Sequence, residues 1–394
     1  MYWWPNFDEG EVREEFGIIA DIGMKIIRIF LLWDDFQPTP DSVDADALNN
    51  LEKVANAAAD LGLGLDVTFF TGHMSGPNWS PRWLLDKEVQ PPSPHLRQLV
   101  SQGKVVESSY RNPYSDETAL AAERLLLKTV VNRLKGHPGI WMWNLGNEPD
   151  LFAWPPSAAA GKAWVQEMVQ LIKEADPEHP VTCGLHVASL LENNGLRIHD
   201  IYGQTDVAVM HGYPMYSHVA RHPLDPDFVP FMCALTSALC GKPTLMEEWG
   251  GCTAPQGEAS TVWEWTAYGQ PRTQFMASEE DLADYVEAVL PKLVEVGATG
   301  AMLWCYADYA PELWNRPPCE ETGAKHERHF GLVRPDGSLK PHAEVIKRFA
   351  STNPTVKPAQ RTVTLDITPD DYYQSPATHF ERLYNAYIAQ YEGA

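Results

Sequence analysis

Short unbroken apolar runs alternate with stretches of helical periodicity along most of this chain. The runs are Lys25–Leu32, Gly64–Phe70, Ile140–Leu145, Val181–Leu185, Val207–Met210, Thr244–Met246 and Ala301–Trp304. They are continuous, not alternating, as parallel strands covered on both faces must be. Between and after them, apolar residues recur at helical spacing over Glu11–Ile22, Asp44–Leu61, Glu117–Leu134, Lys162–Glu174, Phe231–Cys240, Glu280–Val294 and Pro341–Phe349. Counting Tyr2–Trp4 as the remnant of a first strand gives eight strand–helix units. Eight such units in one domain predict an α/β fold, a (β/α)8 TIM barrel, over an open doubly wound sheet. No Gly-x-Gly-x-x-Gly follows any run, which weighs against a dinucleotide fold. The expected layout is one barrel over residues 1–350 and a C-terminal extension, 351–394, packed on it. Two connections are long: Thr71 to Asp116 after the third predicted strand, and Trp249 to Ser278 after the seventh. Long loops at strand C-termini are where barrel enzymes build their sites.

Charge narrows the partners. The chain has 30 Lys and Arg against 53 Asp and Glu, a formal net charge of −23. Such a surface repels nucleic acid and anionic membranes but is indifferent to a neutral ligand. No run of 18 apolar residues marks a membrane span. The start, Met1-Tyr2-Trp3-Trp4-Pro5-Asn6, has no basic-then-apolar leader, so the default expectation is cytoplasmic, or secreted if the N-terminus is truncated. None of the 6 cysteines forms a Cys-x-x-Cys pair, so no structural zinc is expected. One bridge, Cys252–Cys319, is left open by this reading. No motif calls for a cofactor.

Chemistry-bearing residues collect at the strand C-termini. Arg28 lies just inside the Lys25–Leu32 run, with Trp33, Asp34 and Asp35 beyond it. His73 follows the next run. Trp143-Asn144-Leu145-Gly146-Asn147-Glu148-Pro149 and Thr244-Leu245-Met246-Glu247-Glu248-Trp249-Gly250 each end an apolar run in a carboxylate and a turn. His186, then His211 and Tyr213, then Trp304 close the remaining runs. Two carboxylates brought to one barrel mouth are the minimal equipment for cutting a glycosidic bond.

This set resembles glycoside hydrolase family 5. The matched residues are Arg28, His73, Asn147, Glu148, His211, Tyr213, Glu248 and Trp304, and the likeness spans roughly Met1 to Phe349. The closing stretch from His329 to Pro341 is similar to the end of many barrels of the same clan. The resemblance implies a retaining glycosidase. Glu248 is then the nucleophile, held ionised by Arg28 and Tyr213. Glu148 is the general acid and later the base, kept protonated by burial and by its repulsion from Glu248. Double displacement calls for carboxyls about 5–5.5 Å apart. Asn147 is expected on the sugar 2-hydroxyl, and Trp304 as an apolar floor under the ring. His211 is expected to tune Glu148 or touch substrate. The Phe69–Gly76 stretch looks most like mannanase-type members, which implies β-1,4-mannan or β-mannosides. β-Galactosides and β-glucosides stay open, as does exo-action if the long loops wall off the cleft.

Other readings stand beside this one. Glu247 competes with Glu248; strand alternation sends neighbours to opposite faces, so only one should face the cleft. The family pattern selects the residue before Trp249-Gly250. Trp33 and Asp34 are open candidates for sugar contact, Asp34 equally for a solvated turn. Trp79, Trp83, Trp263 and Trp265 lie in the long loops, where exposed rings make sugar platforms. A metal-dependent hydrolase using His73, His186 and His211 would lack any His-x-His or helical pairing. A binding barrel without catalysis would not need both Glu148 and Glu248. The expected partner is an oligo- or polysaccharide, with no metal; oligomeric state is not encoded legibly.

Overall fold

The computed structural model describes residues 2–95, 97–267 and 270–391. The chain forms two compact units, Met1–Leu185 with Asn194–Val207, and His186–Asn193 with Ala208–Ala394.

The first unit carries four parallel strands in the order β1 (Ile26–Leu32), β2 (Gly64–Thr71), β3 (Ile140–Asn147) and β4 (Val181–Gly184). Both faces of β2 are covered: Leu65, Val67 and Phe69 on one side and Asp66 and Thr68 on the other are fully buried. Four long helices intervene, α1 (Glu9–Ile22), α2 (Ala45–Asp60), α3 (Glu117–Leu134) and α4 (Ala158–Ala175). Each starts on a side-chain cap, from Asp8, Asp44, Asp116 and Ser157 respectively, which satisfies N–H groups the helix cannot. Small residues let α2 lie close. A Cβ on Gly139 would sit 2.1 Å from the Ala55 carbonyl oxygen, so only glycine fits ahead of β3.

Tyr2–Trp4 is not a strand. Trp4–Asn6 form a single 3-10 turn, and the Trp4 indole donates to the Phe30 carbonyl at 2.8 Å. Pro5 explains the difference, since it has no N–H to give a sheet ladder. Among the described residues the parallel strands of the two main sheets therefore number seven, four here and three in the second unit. The first long connection also has structure of its own, a small sheet of Asn78–Trp79, Leu99–Ser101 and Lys104–Val105.

The second unit orders its parallel strands β7 (Ala301–Trp304), β6 (Thr244–Gly250) and β5 (Ala208–His211). Its long helices are α5 (Phe228–Cys240), α6 (Glu279–Glu295), α7 (Pro341–Ser351) and α8 (Pro376–Tyr391). The second long connection is an antiparallel hairpin, Thr261–Ala267 against Gln270–Met276. Helix α8 packs on α5 through aromatic edges, Phe231 meeting Phe380 at 5.2 Å and Tyr384 at 5.0 Å. Ahead of it the Tyr372 and Tyr373 hydroxyls donate to the Leu190 and Ser189 carbonyls at 2.6 and 2.7 Å. All six cysteines are free thiols, so Cys252 and Cys319 form no bridge. Cys252 is instead sealed in an apolar cluster with Tyr213, Ala254, Met276 and Phe330. No helix among the described residues is long and apolar enough to cross a membrane.

Candidate active site

In the first unit the end of β3 turns sharply. Asn144, fully buried, accepts from the Gly146 and Gly184 N–H groups at 3.2 and 3.0 Å. Pairing to β4 continues one residue past the strand, with Glu148 N–H donating to Gly184 at 2.9 Å. Glu148 then takes a left-handed conformation, φ 46° and ψ 54°, before Pro149 opens a four-residue helix. For a residue with a Cβ that conformation costs roughly 1–2 kcal/mol. The Glu148 carboxylate does not cap this helix. That removes the simplest structural reason for an acid at this position.

Arg28, Asn147 and His73 are brought together around that turn. Arg28 donates through Nε to Thr68 Oγ1 at 3.0 Å and through Nη2 to the Gly146 carbonyl at 3.4 Å, with buried Asp66 3.8 Å away. Asn147 donates to the His73 carbonyl at 3.0 Å, and His73 Nδ1 sits 2.9 Å from Asn78 Oδ1. These contacts fix the Asn147 amide but use only its N–H side. Its Oδ1 is buried, and no described protein group donates to it. A buried acceptor without a donor is costly, so this oxygen suits a hydroxyl brought by a ligand.

Two tryptophans read as candidates for sugar contact, Trp33 beside its strand and Trp79 as a loop platform, are packing residues instead. Trp33 and Trp79 are each 1% exposed, with their indole N–H groups tied to Gln37 Oε1 and the Met74 carbonyl. Neither offers a free ring face. Asp34 accepts from the Gln102 N–H at 2.5 Å, and burial raises its pKa despite that bond. Trp83 is half-buried and bonded to the Gln37 carbonyl at 2.8 Å.

In the second unit β5 and β6 deliver four polar side chains to one place. Tyr213 donates its hydroxyl to Glu248 Oε1 at 2.8 Å. His211 Nε2 lies 2.7 Å from Glu247 Oε2, and its Nδ1 lies 3.8 Å from Glu248 Oε2. With Glu247 ionised, its carboxylate only accepts, which assigns the proton in that contact to Nε2. Both glutamates therefore approach one imidazole, against the alternation expected of neighbouring strand residues. The pairing register explains why. Met210 pairs with Met246 but His211 with Glu248, and on the other side Ala301 pairs with Met246 but Leu303 with Trp249. Strand β6 thus holds one residue more than either neighbour, a β-bulge at Glu247–Glu248.

Gly250 follows with φ 152°, where an added Cβ would stand 2.6 Å from the Trp304 carbonyl. Trp304 is half-buried and packs on the cluster that includes Tyr213 and Phe330. His186 is buried beside His211, their backbones forming a parallel bridge. Trp263 and Trp265 lie on the same face of the hairpin, and the Lys325 ammonium covers both rings at 5.3 and 5.5 Å. The sequence reading missed Tyr216, which is 50% exposed with its ring 5.5 Å from that of Tyr213 and its hydroxyl 3.0 Å from His326 Nε2. The signal was present: Tyr213 and Tyr216 are three apart around a 3-10 turn, where such side chains eclipse.

Residues 7–282 match the family model for cellulase, glycosyl hydrolase family 5. The chain is 28% identical over 299 residues to a probable mannan endo-1,4-beta-mannosidase A-1 of Aspergillus terreus, covering 67% of this chain and 70% of that protein. Against the probable mannan endo-1,4-beta-mannosidases F of Aspergillus flavus and Aspergillus oryzae the chain spans only 39% of their length. Among solved structures it aligns with a GH5_18 protein of Streptomyces cattleya in complex with Manb1-4GlcNAc, at TM-score 0.77 and 18% identity, over 98% of this chain and 87% of that one. It also aligns with the exo-beta-1,4-mannosidase Op5Man5 of Opitutaceae bacterium strain TAV5, at TM-score 0.69 and 24% identity, over 90% and 57% of the two chains. These structural likenesses carry the fold, a (β/α)8 barrel. The family match runs through most of the chain, and on it this protein belongs to glycosyl hydrolase family 5.

Proposed function

We propose that this protein is a retaining β-glycosidase that cleaves β-mannosidic bonds, with Glu248 as nucleophile and Glu148 as acid and base. The observation that carries the reading is the Tyr213 hydroxyl donating to Glu248 Oε1 at 2.8 Å at the C-terminal end of a parallel strand. A phenol in that position favours the ionised carboxylate and fixes its direction. In the first step a Glu248 oxygen bonds to the anomeric carbon while Glu148 gives its proton to the leaving oxygen. In the second Glu148 takes a proton from water, whose oxygen displaces Glu248. Each step inverts the anomeric centre, so the configuration is retained. The unpartnered Asn147 Oδ1 supports a role in accepting the sugar 2-hydroxyl, a bond that strengthens as charge develops at the neighbouring carbon.

Mannose is favoured by the curated relatives, which are named as mannan endo-1,4-beta-mannosidases, and by the structural relative solved with Manb1-4GlcNAc. The test is a screen of aryl β-mannoside, β-galactoside and β-glucoside together with mannan, glucan and Manb1-4GlcNAc. Release of β-mannose as the first anomer seen by NMR is the expected result. Turnover that survives Glu248→Ala, or that disappears on exhaustive chelation, overturns the mechanism. Mannose as the sole product of a manno-oligosaccharide marks exo-action; a ladder of products marks endo-action.

A further inference from the structure

We propose that Glu247 is a positioning residue for the nucleophile, acting through His211. The proposal rests on the reading of Glu248 above. A regular strand would turn Glu247 away from the face that presents Glu248. The β-bulge cancels that alternation, and the register to both flanking strands shows it. As a result a single imidazole stands between two carboxylates, Nε2 at 2.7 Å from Glu247 and Nδ1 at 3.8 Å from Glu248. The His211 and Glu247 side chains are wholly buried, and that of Glu248 is 11% exposed.

The two carboxylates are not equivalent. Glu248 has its Oε1 occupied by Tyr213, and its Oε2 is turned toward the ring without a hydrogen bond to it. Glu247 makes the short bond, and it has no exposure through which a substrate could reach it. A buried carboxylate is tolerable only when paired, so Glu247 and His211 hold each other. The short bond fixes the plane of the ring and, with Glu247 ionised, holds the proton on Nε2, and so fixes which atom faces the nucleophile. A metal-bound histidine is oriented by a carboxylate behind it in the same way. Here the oriented group faces a reacting carboxylate instead. Glu247 makes no contact with the reacting atoms in this scheme; its influence passes through the ring.

The test uses 2-deoxy-2-fluoro-β-mannosyl fluoride on the full chain. One Glu248 oxygen bonds to the anomeric carbon and fluoride leaves with the bonding pair, so no proton transfer enters the rate. Intact mass gives the fraction of chains labelled, which reports folded sites. The labelling rate constant reports how reactive Glu248 is in those sites. Glu247→Gln is expected to label to the same final fraction but about tenfold or more slowly, since misplacement by about 1 Å can cost 100-fold. Glu247→Asp, which keeps the charge and shortens the reach, is the second variant and should fall between the two. The double variant with His211→Asn should label no more slowly than His211→Asn alone. A purely structural Glu247 would lower the labelled fraction and leave the rate constant unchanged. Wild-type rates in both Glu247→Gln and Glu247→Asp overturn the positioning role and leave the nucleophile assignment standing. Label mapped to a residue other than Glu248 in the unmutated chain overturns the nucleophile reading itself.

Discussion

Tyr213 and Glu248 meet across 2.8 Å, hydroxyl to carboxylate, although 35 residues separate them. One follows the end of β5 and the other lies near the end of β6, so strand pairing sets the distance and no loop has to be ordered to make it. A hydrogen bond to a charged group contributes about 1.5–3 kcal/mol. Tyr213→Phe keeps the ring in its apolar cluster and removes only the donor. We expect kcat/KM on an aryl β-mannoside to fall about 10- to 100-fold with KM nearly unchanged. A variant within twofold of the parent would show that the contact has no part in the chemistry.

Asn147 gives a second, separable expectation. Its N–H side holds the His73 carbonyl, so Asn147→Ala will disturb the turn for any substrate. Its unpartnered Oδ1 should matter only when the sugar carries a 2-hydroxyl. The loss in kcat/KM on a mannoside should therefore exceed the loss on its 2-deoxy analogue by about tenfold or more. Equal losses on the two substrates would assign Asn147 a purely structural role.

Glu123 on α3 predicts how stability varies with pH. It is 1% exposed, its Oε2 accepts from the Trp164 indole at 2.8 Å, and burial raises its pKa to about 8. A raised acid is protonated in the folded chain where the unfolded chain has already ionised. Its contribution is complete below the ordinary carboxylate pKa of about 4.3 and is lost as pH rises toward 8. Glu123→Gln resembles the protonated form at every pH. The difference in Tm between Glu123→Gln and the parent should thus move in the variant's favour from pH 5 to pH 8.5. A difference that stays flat across that range would refute the buried-acid account.

The parts of this molecule legible in its sequence are those that depend on one segment at a time. Runs such as Ile140–Leu145 read as covered strands because they are mostly apolar and too short for an ordinary helix. The helix read from Glu117 does begin there, on the Asp116 cap, whereas the one read from Lys162 begins four residues earlier, on Ser157. Relations between segments were not legible. The bulge at Glu247 exists only relative to β5 and β7, so alternation misjudged where that side chain points. Trp79 looked like a loop platform because its loop was read as unstructured, yet it belongs to a small sheet and its indole is tied inward to Met74. Trp263 and Trp265 sit two apart on a hairpin strand, and only the fold reveals that Lys325 lies on both rings.

Free thiols make a simple prediction. Cys252 and Cys319 are both buried and unbridged, and burial pushes both thiols up, away from the reactive thiolate. Ellman titration should find 6 thiols in denaturant and far fewer in the native protein. Reductant should leave Tm where it is. A fall in Tm on reduction would require a disulfide absent from this structure.

The tail offers the strongest test of how the second unit is held together. Phe380, Leu383, Tyr384 and Tyr387 on α8 are buried, as are Tyr372 and Tyr373 before it. Burying a large apolar side chain contributes about 1.5–3 kcal/mol, so six such residues contribute on the order of the 5–15 kcal/mol that stabilises a typical domain. The tail also completes a polar site. Arg221 pairs with Asp225, fully buried, and the Tyr384 hydroxyl donates to the same carboxylate. Those bonds outweigh the burial of Asp225 and bring its pKa down to about 2. Truncation after residue 351 would uncover Phe228 and Phe231 on α5 and leave that carboxylate short of a donor. We expect the truncated chain to be insoluble or to unfold at far lower denaturant than the parent. Tyr384→Phe, which keeps the ring and removes only the donor, should cost about 1–3 kcal/mol at neutral pH. That cost should shrink as pH falls toward 2, where Asp225 takes up its proton. A truncated chain with the parent's unfolding midpoint would show that the second unit stands without its tail.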